Sequence, residues 1–387
     1  MSTDLNAFDR QFRDKYEEQS ASVGRFNLAV FGKTGVGKST LINAIFGEDV
    51  APTGIGEPVT MHEHLYLHRD GFFGLLDTRG LEIGVDTDTL IAELGSYISQ
   101  MRQRPLSEQI HTAWYCVRAT DRRFEDTEAE FIRRLHELGL PVIVVLTQVP
   151  SRGGAHHADA IALAEHITSL GLPIAEGRPI LVMAKGDDFT GQVDHGLQEL
   201  LDATFRAAPE GVAFALSAAQ KIDLDRKWKR AHATIIAAGT AAGAVGATPI
   251  PIADAALLVP IQLGMMGTVS VIYGVKLEIA SMAATVATAV ATAAGRGVVV
   301  GLLKFIPGAG TVVGGVLGAA TASVFTVAMG YAWAAVCSQL VQGKLKTLDG
   351  VLDSDAIRRL FTSELAEWFK KLAAKNPKVG QEIDGQP

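Results

Sequence analysis

Disulfide chemistry, a basic surface and a secretory leader are all lacking. Only two cysteines, Cys116 and Cys337, occur in 387 residues. Both sit in apolar runs without metal-ligand spacing, which excludes a disulfide framework and reads as two reduced core thiols in a cytosolic protein. Lys and Arg number 35 against 42 Asp and Glu, a net charge of -7. Phosphate-backbone binding normally leaves a basic stripe, so nucleic acid is not an expected partner. The opening "MSTDLNAFDRQFRDKYEEQ" has no uninterrupted apolar run and is not a secretory signal. Leu5, Phe8, Phe12 and Tyr16 instead recur at helical spacing, predicting an amphipathic helix that packs on a domain, with a membrane or partner role as the lesser reading. Charge itself is missing from part of the back half. Between Arg230 and Lys276 the only formally charged residue is Asp254, and between Lys304 and Lys344 there is none.

The front half carries chemistry. "RFNLAVF" reads as a buried strand, "GKTGVGKST" (Gly32 to Thr40) as a glycine loop, and "STLINAIFG" as the helix that follows. In this strand–loop–helix context the backbone N–H groups of Gly32, Lys33, Thr34, Gly35, Val36, Gly37, Lys38, Ser39 and Thr40 suit anionic phosphate oxygens. Lys38 reaches the β/γ-phosphates and Ser39 ligates magnesium. "GFFGLLDTRG" puts Asp77 at a strand end, able to hold magnesium, and Gly80 where its N–H meets a γ-phosphate. Thr60, in "GEPVT", is the candidate switch threonine on the metal, with Thr53 as runner-up and a turn residue as the bland alternative. "HTAWYCVRA", "PVIVVLTQV" and "RPILVMAKGDD" supply further strands, interleaved with helices such as "DTEAEFIRRLHEL". This alternation predicts an α/β domain with a doubly wound, mostly parallel sheet.

Together these motifs resemble the Era-like, translation-factor-related branch of P-loop GTPases, over roughly Phe26 to Ala208. The resemblance implies GTP/GDP and Mg2+ as ligands, metal contacts from Ser39, Thr60 and Asp77, and catalytic roles for Lys38, Thr60 and Gly80. It also implies base contacts from Thr147, Gln148, Ala184 and Lys185. There are two departures. Leu81 stands where Ras-like enzymes carry a water-orienting Gln, so intrinsic hydrolysis is expected to be slow and helped by assembly, a partner, or Arg79 and Glu82. The guanine-reading Thr/Asn-Lys-x-Asp motif reads Thr147-Gln148-Val149-Pro150 and lacks its carboxylate, which relaxes base discrimination and leaves ATP open. Asp187 or Asp188 lies within reach of the same rim.

Other conspicuous residues have bland readings. His62/His64 and His156/His157 lack companion ligands for zinc. "DRRFED" (121 to 126) reads as a solvated loop, with an assembly contact near the nucleotide as a minor reading.

From Ala231 the chain becomes rich in Ala, Gly, Val and Thr. Helices are expected over about 231–247, 252–274, 277–303 and 309–348, broken at "ATPIPIAD" and "FIPGAG", giving two helical hairpins. Either charge-poor stretch is long enough for a membrane span, which takes about 20 apolar residues. "DRKWKR" would then supply basic residues and Trp228 at an anionic interface. The competing reading is a tightly packed Ala/Gly bundle. "TPIPIADAALLVPIQLGMMGTVSVIYG" resembles the hydrophobic tail domain found behind such GTPases. The amphipathic pattern from Leu352 to Leu372 is expected to pack back, with Trp368, Lys370 and Lys371 meeting lipid headgroups as the lesser reading.

The expected organisation is an amphipathic helix (1–22), a GTPase domain (23–215), a hydrophobic helical-hairpin domain (216–348) and a C-terminal amphipathic helix and tail (349–387). The expected function is a slowly hydrolysing GTP-binding protein that switches the state or membrane association of its helical domain. Its candidate partners are guanine nucleotide, membrane lipid and a second copy through the front domain. The expected location is the cytoplasm, including the inner face of the cytoplasmic membrane. A soluble nucleotide-binding scaffold with little turnover is the alternative.

Overall fold

The computed structural model describes residues 2–47, 65–68, 71–77, 87–246, 254–293, 319–347, 349–376 and 379. The chain forms two compact units: Val23–Asp223, and a second that joins Met1–Ser22 to Leu224–Pro387. The first helix, α1 (Ser2–Val23), thus belongs with the back half. The front unit runs to Asp223 rather than 215, because the segment after 215 is bound into it. The Lys221 N–H donates to the Ile45 carbonyl at 2.8 Å, and Ala215, Leu216 and Ala218 are fully buried.

In chain order the front unit contains β1 (Phe26–Phe31), α2 (Lys38–Phe46), β2 (Leu65–Leu67), β3 (Phe73–Asp77), α3 (Thr87–Met101), β4 (Thr112–Arg118) and α4 (Asp126–Glu137). After these come β5 (Val142–Thr147), β6 (Ser151–Arg152), β7 (Ala155–His156), α5 (Ala158–Ser169), β8 (Ile180–Leu181), α6 (Leu197–Ala207) and α7 (Ala213–Ala219). The main sheet has the order β2-β3-β1-β4-β5-β8, and all its pairings are parallel except β2 on β3. Strands β1 and β5 are buried along their whole length, as unbroken apolar runs must be when helices cover both faces of a sheet. This is the expected doubly wound α/β fold. One face is sealed by Phe46, stacked on Phe73 at 4.1 Å, and by Trp114, whose indole N–H donates to Thr204 Oγ1 at 3.1 Å. The strand order reverses between β1 and β4, and the crevice above such a switch point is where ligands bind in open α/β sheets.

The helical unit contains α8 (Leu224–Gly246), α9 (Asp254–Tyr273), α10 (Leu277–Ala293), α11 (Ala319–Val341) and α12 (Ser354–Ala373). Helix α8 begins at Leu224 rather than near 231, so "DRKWKR" is its first turns and not a flanking basic segment. Lys227 in that run is fully buried, and its ammonium donates to the Ile272 and Tyr273 carbonyls at 3.2 and 3.0 Å, the orphan acceptors at the end of α9. The expected helix over 309–348 is described only from Ala319 to Val341. At its centre Trp333 is fully buried and donates to the Met266 carbonyl at 2.9 Å. Helix α1 closes over this core. Phe12 meets Trp333 edge-on at 6.4 Å, the Tyr16 hydroxyl donates to the Val275 carbonyl at 2.8 Å, and Ser281 bonds Asp9. Small residues permit such approaches: a Cβ on Gly330 would lie 2.7 Å from Met265 Sδ and 2.8 Å from Ile235.

Candidate functional site

The loop between β1 and α2 is shaped by three glycines at positive φ: Gly32 (124°), Gly35 (78°) and Gly37 (97°). A side chain at Gly32 would put its Cβ 2.1 Å from the Cys116 carbonyl oxygen, so only glycine lets the loop pass this close to β4. Gly37 is the N-cap of α2 and has no side chain to cap the first turn. Leu41 N makes the first helical bond, to the Gly37 carbonyl at 3.0 Å, so the N–H groups of Lys38, Ser39 and Thr40 precede the ladder at the positive end of the helix dipole. The Lys38 ammonium lies against the loop, bonded to the Gly32 carbonyl and, at 3.0 Å, to that of Lys33.

The carboxyl end of β5 is tied to this loop. Buried Thr147 donates its hydroxyl to the Val36 carbonyl at 2.5 Å, with the Val117 carbonyl at 3.2 Å. Gln148 follows with φ 54°, a left-handed conformation that non-glycine residues adopt at a cost, and its amide donates to the Gly35 carbonyl at 3.3 Å. Two sequence-predicted base contacts are therefore fastened to the phosphate loop. A peptide's N–H and C=O point in opposite directions, so holding these carbonyls fixes the direction of the next N–H groups.

The end of β4 and the start of α4 grip the loop as well, and sequence reasoning missed this. Arg118 donates through Nη2 to the same Gly35 carbonyl and pairs with Asp121 at 3.6 Å. Lys33 pairs with Glu125 at 3.2 Å and Glu128 at 3.6 Å, so its side chain is directed at α4 and only its backbone faces the loop interior. Burial works against the Lys33 charge, but Glu128 and Glu125 outweigh it and hold the pKa above the ordinary lysine value. The two glutamates are themselves a capping box on α4, and Glu128 also accepts from the Tyr115 hydroxyl at 3.3 Å. "DRRFED" is largely exposed, as expected of a solvated loop, and is also tethered, with Arg122 bonded to Asp159 at 2.6 Å. A cleft of about 340 Å³ lies here, lined by Lys33, Val36, Arg118, Arg123 and Glu125 among others.

On the base side, Ala184 and Lys185 follow β8, next to the end of β5, where Val149 N donates to the Val182 carbonyl at 3.1 Å. Asp187, one of the two carboxylates proposed to replace the missing one, is engaged in its own turn: it accepts from Phe189 N at 3.0 Å and Thr190 Oγ1 at 2.8 Å. The Thr190 hydroxyl, with the Phe189 N–H, lowers its pKa below the ordinary range. His156 packs its ring on His195 at 4.7 Å, and His157 caps α5 by accepting from Asp159 N.

Asp77 ends β3 and is paired in register with Val30, two residues ahead of Gly32. Thr53, Thr60, Arg79, Gly80, Leu81, Glu82, His62 and His64 lie outside the described residues. What is described fits a nucleoside triphosphate with magnesium: a close-approach glycine cradle, an uncapped helix start, Lys38 at the rim, Ser39 in the first turn and Asp77 on the neighbouring strand.

A family model described as "50S ribosome-binding GTPase" matches residues 27–148. The chain is 26% identical over 138 residues to GTPase Era of Histophilus somni, covering 35% of this chain and 42% of that protein. It is 25% identical over 186 residues to GTPase Era of Coxiella burnetii, covering 48% and 59%. To GTPase Der of Deinococcus deserti it is 30% identical over 135 residues, covering 34% and 29%. The chain thus spans less than two thirds of each of these relatives.

Proposed function

We propose, from the premise that the front domain is an Era-like P-loop GTPase domain, that the whole chain is a GTP-binding and GTP-hydrolysing switch whose effector is its helical unit. The observation that carries this reading is the phosphate loop itself, with its carbonyls fastened by Thr147 and Gln148 and its donors turned to the α2 start. In the reaction, the loop N–H groups hold the β- and γ-phosphate oxygens and the Lys38 ammonium leaves its carbonyl contacts to meet the charge that develops on the transferring phosphoryl group. Magnesium, held by Ser39 and Asp77 with Thr60 closing on it, would supply further charge neutralisation. Gly80 would donate its N–H to the γ-phosphate, and Ala184 and Lys185 would flank the base. Leu81 offers no hydrogen bond to the attacking water, so turnover by the isolated chain is slow and a partner or second copy accelerates it.

Binding of a fluorescent GDP analogue and single-turnover GTP hydrolysis, each with Lys38→Ala alongside, test this reading. Loss of binding and turnover in the variant supports it, and an unaffected variant defeats it.

For the helical unit, the packed bundle is the better supported state, because 67% of the most apolar window of α11 is buried. Membrane association is a second reading, favoured by the length of the same helix, 23 residues with mean hydropathy 1.5. In that reading the protein is cytoplasmic and reaches the inner membrane face in one nucleotide state. Flotation with anionic liposomes in GDP and in a non-hydrolysable GTP analogue separates the two. Nucleotide-dependent flotation supports the membrane reading, and a protein that stays soluble throughout leaves the bundle.

A further inference from the structure

The Gly35 carbonyl receives two side-chain donors from two different strand ends, Arg118 Nη2 from β4 and Gln148 Nε2 from β5. Gly35 has φ 78°, and a Cβ there would lie 3.1 Å from Arg118 Nη2. A side chain there would crowd the guanidinium, and the positive φ favours glycine. Glycine also leaves the peptide easy to rotate. A rotated Gly35–Val36 peptide would turn its carbonyl oxygen toward the phosphates, where it repels them, and would break the bond that the Val36 N–H donates to the Lys33 carbonyl at 3.4 Å.

Arg118 is built to prevent that rotation. Its guanidinium is steadied by Asp121 at 3.6 Å, in the turn that follows β4. Its Nε is buried without a hydrogen-bond partner among the described residues, an expense that a purely structural surface arginine would shed by turning outward. Its position is set by the strand before it, since Cys116 and Val117 are buried and Arg118 stands in register with Thr147 on β5. The residue after Thr147, Gln148, is the other donor to the carbonyl. Register between two parallel strands thus delivers both donors to one oxygen.

We propose that Arg118 is a positioning residue of the phosphate loop: by holding the Gly35 carbonyl outward together with Gln148, it sets nucleotide affinity without touching the nucleotide. The inference rests on the nucleotide-binding reading above. A hydrogen bond with a charged donor corresponds to about tenfold or more in a binding constant, and its loss weakens ground state and transition state alike.

The test uses the full chain with Arg118→Gln, Arg118→Lys, Gln148→Ala and the Arg118→Gln/Gln148→Ala pair, measured by dissociation of a fluorescent GDP analogue, by KM and kcat for GTP, and by thermal melting without nucleotide. Arg118→Gln is expected to raise the GDP dissociation constant and KM about tenfold while kcat stays within about twofold. Arg118→Lys, which keeps one charged donor, is expected to recover part of the loss. The double variant should lose more than the product of the single effects, because each remaining donor still partly restrains the oxygen in the single variants. The proposal is overturned if Arg118→Gln binds GDP as wild type does. It is equally overturned if glutamine and lysine variants lose affinity equally together with melting temperature, which marks a structural role. Wild-type protein that binds no nucleotide would overturn the GTPase reading and this proposal with it; binding by wild type but not by Lys38→Ala leaves the reading standing whatever Arg118 does.

Discussion

The hydroxyl of Thr147 is bonded at 2.5 Å to the carbonyl of Val36, joining the end of β5 to the phosphate loop across 111 residues of chain. Both groups are buried, so replacing the hydroxyl by a methyl leaves an acceptor with no donor. Thr147→Val keeps the shape and is expected to cost about 1–3 kcal/mol in front-unit stability. Urea denaturation of the two proteins checks the figure, and GDP affinity should fall in parallel.

Base selection should be loose. A site built around a buried carboxylate rejects a base lacking the matching donors by about 10⁴ or more, and Pro150 offers no such group. Asp187 already accepts from Phe189 N and Thr190 in its own turn. GDP is therefore expected to outcompete ADP by less than about a thousandfold, and Pro150→Asp to widen the ratio. Competition against a fluorescent nucleotide measures both.

His111 makes the front unit sensitive to mild acid. Its Nδ1 accepts the Asn27 N–H at 2.8 Å and its Nε2 lies 2.7 Å from the Leu106 carbonyl, an arrangement that requires the neutral ring. Burial, the largest influence, holds its pKa below the ordinary 6.5. The folded state then binds a proton less readily than the unfolded state, so this contribution is complete above the ordinary value and is lost as pH falls through the lowered one. Denaturation midpoints at about pH 7.5 and pH 5.5 should differ in wild type, and the difference should shrink in His111→Gln.

In the helical unit Gly330 packs closely against Met265 and Ile235. Gly330→Leu forces those side chains apart and is expected to destabilise the unit by about 1–3 kcal/mol, more than the gain in helix propensity returns. Thermal melting followed by circular dichroism should show the transition moving down, while GDP affinity stays close to wild type.

The phosphate loop was legible because its signals are local: glycine spacing, the apolar run before it and the helix after it lie within twenty-odd positions, between Phe26 and Phe46. The stripe of Phe12 and Tyr16 announced a helix but not its partner, since Val275 is 259 residues away and amphipathicity carries no address. Arg118 and Glu125 were illegible as site residues, and so was the pairing of the Lys33 side chain with α4, for a different reason. Charged side chains after a strand look solvated in one dimension, and only the register of β4 on β1 and β5 brings them to the loop. "DRKWKR" misled in the same way, because one buried lysine satisfying two helix-end carbonyls has the same composition as a basic flank.

Helix α1 is made before the helices it packs on. Its contacts at Val275, Ser281 and Trp333 leave the ribosome only after the whole of Val23–Asp223 has been synthesised. During that interval the front unit has everything it needs to fold and α1 does not, so the apolar stripe of Phe12 and Tyr16 waits uncovered on the growing chain. The vulnerable stage in the life of this protein is thus its synthesis, and whatever shields that stripe then acts on a surface that the finished fold no longer displays.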